Sequence, residues 1–178
     1  LIPEAIMAMN VDSLNRSVID YGASGSDIDN GNVFQLASKH TSGSLTEVFD
    51  LQQPSAASAT DMWMAYSGDE VILTASKYKG LDPDPRNFYN DAGTVFSAYK
   101  PAIGDIILLT ADAFINTFDS HTYAIPRNSS FQLEWSGTEA TTGLCYKYLG
   151  TKYISLHTSS STIDSQQVTA YELECVNV

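Results

Sequence analysis

The chain is short of charge. Only 17% of its 178 residues are Asp, Glu, Lys or Arg, against about 25% in an ordinary soluble domain. The shortage is one-sided: nine Lys and Arg stand against 21 Asp and Glu, a formal net charge of −12. No basic run is longer than Lys77-Tyr78-Lys79. Binding a phosphate backbone takes clustered cations, so nucleic acid is excluded as a direct partner. The same argument speaks against an anionic membrane surface. Two cysteines, Cys145 and Cys175, form no Cys-x-x-Cys, which leaves a structural zinc site unsupported. They read as reduced, packed thiols in preference to a disulfide. No window approaches the roughly 18 apolar residues that a membrane span needs. The apolar first residues carry Glu4 and no basic segment, unlike a signal peptide. The chain opens on Leu1 and not on Met, as a fragment or a processed form does.

Helical periodicity and internal repeats are also missing, and what remains is strand pattern. Asn32 to Ala37 alternates, with Phe34 and Leu36 on one face. Glu47 to Leu51 and Asp61 to Tyr66 follow. Ile106-Ile107-Leu108-Leu109-Thr110 is a continuous apolar run, the mark of a strand buried on both faces. Phe131, Leu133 and Trp135 share an inward face. Leu144 to Leu149 and Tyr153 to His157 suggest a hairpin about Gly150-Thr151. In the last segment Thr169, Tyr171, Leu173 and Cys175 share one face, with Glu172 and Glu174 on the other. Asp112-Ala113-Phe114 suits a single capped turn. About eight to ten short strands make the chain mainly β, a β-sandwich or β-barrel of short antiparallel strands.

Residues 1–31 read differently. Ile2, Ile6 and Met9 are spaced for a helical turn or two, with Met7 between them, but the pattern fades at Ser13. Gly22 to Gly31 is loop chemistry. The segment is an extended or partly helical N-terminal arm, or an edge strand folded onto its own domain. The β-rich domain then covers residues 32–178. Pro54 to Thr60 and Thr158 to Ser165 read as surface loops.

Catalytic patterns are scarce. His40, His121 and His157 lie far apart, and no Gly-x-Ser-x-Gly elbow or phosphate-binding glycine loop occurs. Asp82 with Asp84, and Glu172 with Glu174, are two apart on extended chain and point the same way, about 7 Å apart. That spacing suits carboxylate catalysis, and equally any polar strand face. Asp27 and Asp29 lack the pattern of a calcium loop. The most distinctive segment is Gly80-Leu81-Asp82-Pro83-Asp84-Pro85-Arg86-Asn87-Phe88. Its prolines stiffen the loop and lower the entropy lost on docking. Arg86 and Phe88 are residue types favoured in interface hot spots. A rigid connection between strands with an internal Asp–Arg pair is the plainer alternative.

One ordered set of motifs carries a resemblance. It runs Met62-Trp63-Met64-Ala65-Tyr66, the Gly80–Phe88 segment, Ala92-Gly93-Thr94-Val95-Phe96-Ser97-Ala98-Tyr99-Lys100-Pro101, Gly104-Asp105-Ile106-Ile107 and Gln167-Val168-Thr169-Ala170-Tyr171. In this it resembles the capsid decoration (cement) proteins of tailed bacteriophages, over roughly residues 32–176. The resemblance implies a structural virion protein on the outer surface of an expanded capsid, clamping neighbouring major capsid protein subunits. It implies a trimer there, and no enzyme activity, catalytic residue, metal or cofactor. Ile2, Ile6, Met7, Met9, Asp82, Asp84, Arg86 and Phe88 are the expected capsid contacts. The alternative is a glycan- or host-binding β domain of a phage fibre or adhesin, for which ten tyrosines and two tryptophans supply rings. An enzyme using Asp82, Asp84 or Glu172 is a third reading.

Overall fold

The computed structural model describes residues 7–10, 26–39, 49–66, 71–72, 81–82, 89–93, 96–157 and 165–178. Twelve strands are named among them: β1 Met7–Asn10, β2 Val33–Lys39, β3 Phe49–Gln52, β4 Met62–Ala65, β5 Val71–Ile72, β6 Leu81–Asp82, β7 Ala98–Tyr99, β8 Ile106–Thr110, β9 Tyr123–Pro126, β10 Leu133–Ser136, β11 Cys145–His157 and β12 Ser165–Asn177. One sheet has six strands in the order β1-β8-β12-β11-β9-β10. A second has four, β3-β2-β4-β7, and β5 pairs with β6 alone. All the strand pairs are antiparallel. Neither large sheet closes on itself, so of the two expected architectures the chain adopts the sandwich.

The two large sheets share one core. Val33, Met62, Met64 and Tyr99 from the four-stranded sheet meet Ile107, Leu109, Ala124, Leu133, Trp135, Tyr146, Leu173 and Cys175 from the six-stranded sheet. Strand parity explains the sorting, since alternate side chains point to opposite faces. In β4, Met62 and Met64 face this core, while Ala65 faces away into a second cluster with Ile28, Phe34, Leu51, Phe96 and Ala98. Phe34 and Phe96 meet edge to face there, at 5.9 Å between centroids. The four-stranded sheet is therefore buried on both faces. That is why β4 reads as an unbroken apolar run.

Several expectations change in detail. β8 is buried on one face only: Ile107 and Leu109 are fully buried, whereas Ile106 and Leu108 are half-buried. Phe131 lies before β10 begins and packs in the second cluster, away from Leu133 and Trp135. The turn after Thr110 is a short 3-10 turn, Ala111–Ala113, without a side-chain cap. Pro54 and Ala59 are buried, so residues 54–60 are not purely a surface loop. There is no hairpin at Gly150-Thr151. Cys145 to His157 is one strand, and its partner is β12. The glycine marks a bulge between Tyr148 and Gly150.

At the N-terminal end, Met7–Asn10 forms the edge strand against β8, with Met9 opposite Ile107. Ile28 to Asn32 is buried, and Ile28 exchanges backbone hydrogen bonds with Asn90 at 3.0 and 2.9 Å. The packed body thus begins before residue 32.

Candidate interaction surface

β11 and β12 are each 13 residues long and outrun their neighbours. β8 pairs with β12 only from Ala170 to Glu174, and β9 pairs with β11 only at Tyr146 and Lys147. Beyond these points Thr151–His157 and Ser165–Thr169 pair only with each other among the described residues. Seven residues at about 3 Å each carry this two-stranded ribbon roughly 20 Å past the sandwich. Among the described residues no third strand flanks it, and Tyr153 is 67% exposed, with Thr151, Lys152, Ser155, Gln167 and Thr169 exposed too. Leu149, extruded at the bulge, is 43% exposed. Ile154 and Val168 lie opposite each other and are half-buried.

The root of the ribbon is stiff. Phe118 sits over Trp135, Tyr148 and Tyr171, with centroids at 4.8, 4.9 and 5.1 Å. Phe114 stacks on Trp135 at 4.2 Å. Such pairs contribute about 0.5–1.5 kcal/mol beyond their area burial. The Tyr148 and Thr151 hydroxyls are 2.6 Å apart across the bulge. Lys152 reaches Glu172 at 3.4 Å, so one member of the Glu172–Glu174 pair serves a surface ion pair at the ribbon's base. Burial, and then the nearness of Tyr148, pushes the Tyr171 phenol up. Beside these rings a cleft of about 170 Å³ opens, lined by Phe114, Asn116, Phe118, Trp135 and Tyr171.

Nucleophile and metal chemistry find little here. Cys145 and Cys175 are free and buried. Burial drives both thiols up, Cys175 to about 12, which keeps them protonated and unreactive. Among the described residues no three His, Cys, Asp or Glu side chains are grouped to hold a metal. Asp27 instead accepts the Ala92 N–H at 3.0 Å. Among the same residues no helix is long and apolar enough to cross a membrane.

Three of the eight residues named from sequence as contacts fall among the described residues. Met7 and Met9 lie in β1 on the six-stranded sheet, and Asp82 lies in β6, opposite Val71 in the separate two-stranded sheet. Ile2, Ile6, Asp84, Arg86 and Phe88 fall outside the described residues. The ribbon was missed, although the sequence holds a trace of it. Residues 140–163 contain no Asp or Glu, the longest such stretch in the chain.

The fold defines the class: an antiparallel β-sandwich with a projecting ribbon. No family model, curated protein or solved structure matches the chain.

Proposed function

We propose that the chain is a non-enzymatic structural protein of a phage head, a decoration protein that binds the outer surface of the expanded capsid and clamps neighbouring major capsid protein subunits. The observation that carries the reading is the ribbon. A solidly packed sandwich extends an exposed, two-stranded reach of roughly 20 Å from an aromatic root. Such an element suits bridging between neighbours in a lattice, where many weak contacts add up through avidity. A charge of −12 favours the outside of a DNA-filled shell over its lumen. The test mixes the purified protein with undecorated expanded capsids and images them. Regular outer density is expected, and bare shells at saturating protein would end the reading.

A glycan-binding domain is the second reading, favoured by the aromatic lining of the 170 Å³ cleft. Against it, Trp135 and Phe114 are 3% and 5% exposed, which leaves little ring face for a sugar. Glycan-array binding together with no affinity for capsids would select it.

A further inference from the structure

We infer that the β11–β12 ribbon is a self-association element, and that its occupant is the ribbon of a second copy of this chain, met strand edge to strand edge. The inference rests on the ribbon reading above and names the neighbour that the ribbon reaches.

Two observations carry it. The first is the backbone. Along Thr151–His157 and Ser165–Thr169 each strand has a partner on one side only among the described residues. An exposed edge of this length is a template for another strand. The residues suit pairing: Tyr153, Ile154, Val168 and Thr169 are β-branched or aromatic. Tyr153 and Leu149 add exposed apolar surface beside it.

The second is charge. Every copy carries −12, so two copies repel wherever their carboxylates approach. Residues 140–171 hold a single carboxylate, Asp164, against the two cations Lys147 and Lys152. At the ribbon's base Glu172 is already paired with Lys152. The Debye length is about 8 Å at physiological salt. A ribbon reaching roughly 20 Å keeps the acidic bodies of two copies beyond that distance while the edges join. A like-charged copy therefore approaches at least cost along this surface, whereas a cationic partner has no reason to choose it over the acidic body.

Sedimentation of the isolated full chain over a range of concentrations tests the inference. A concentration-dependent dimer or closed ring is expected. Gln167 is exposed on the ribbon, so charge can be added there without touching the core. Gln167→Glu should weaken association by about tenfold or more, and Gln167→Lys by less than about threefold. Tyr153→Glu is the second variant, and each variant's melting temperature should match the parent. A parent that stays monomeric, or well-folded Glu variants that associate as the parent does, would overturn the inference. Capsid imaging is read separately. A monomer in solution that still decorates shells removes only the ribbon contact between copies. An oligomer that leaves shells bare removes only the capsid reading.

Discussion

Asn116 stands in for a strand beside Trp135: its Oδ1 accepts the Trp135 N–H at 2.8 Å, and its Nδ2 donates to the Trp135 carbonyl at 3.2 Å. Among the described residues β10 is the outermost strand of its sheet, with β9 as its strand partner on the other side. The chain just before Asn116 continues the cover. Ile115 N–H donates to the Leu133 carbonyl at 2.9 Å, and Gln132 Nε2 donates to the Asp112 carbonyl at 2.8 Å. An edge that would otherwise invite pairing is blocked by one amide and a short parallel contact.

Replacing Asn116 by Leu removes both bonds at once and leaves two backbone groups of a half-buried edge without partners. The expected loss is about 1–3 kcal/mol in urea unfolding. Asn116→Asp keeps the acceptor and loses the donor, so it should fall between Leu and the parent. Equal stability of all three would show that the amide does not serve as a strand substitute.

Asp29 links stability to pH. Burial pushes its carboxyl up to about 6 from 3.8, and the nearby charges of Asp27 and Asp112 add to the rise. Between these values the folded chain holds a proton that the unfolded chain has released. Stability therefore rises as pH falls through about 6 toward about 4, and above 6 the advantage is gone. The melting temperature should be higher near pH 5 than near pH 7.5. Asp29→Asn should raise it at the higher pH and reduce the difference between the two. A variant with the parent's full pH dependence would remove Asp29 from the account.

Gly143 is a point of close approach. Its φ is +79°, and an added Cβ would lie 2.6 Å from the Ala59 carbonyl oxygen and 2.8 Å from the Ser58 carbonyl carbon. Both neighbours are backbone, so neither can swing aside. Ala59 is part of the shared core, which means that a shift there disturbs the packing between the sheets. Gly143→Ala should cost more than about 2 kcal/mol by denaturant unfolding, well above an ordinary surface change. Gly150 has open space around its Cβ position, and Gly150→Ala should cost much less. Similar losses at the two sites would contradict the assignment.

The legible parts of the fold are those where one strand face is buried and the other is not. Leu133 and Trp135 in β10, and Tyr171, Leu173 and Cys175 in β12, announce themselves by alternation, because the pleat sends alternate residues to opposite environments. Alternation ends where the strand ends. Phe131 keeps the parity of Leu133 but lies outside β10, after Ser129 takes a left-handed φ of 57°, and so packs in the other cluster. Continuous apolar runs are harder to read. β4 and β8 look alike in sequence, yet only β4 lies in a sheet covered on both faces.

By itself the sequence determined the acidity, the strand-rich class and the inward residues of single strands, because these follow from composition and local period. Which strands pair was decided only by the tertiary structure. Cys145–His157 was readable as two short strands about a glycine, and pairing with β12 made it one long bulged strand. The ribbon exists because β8 and β9 stop pairing while β11 and β12 continue. Partner length is a non-local property, and no window of residues contains it.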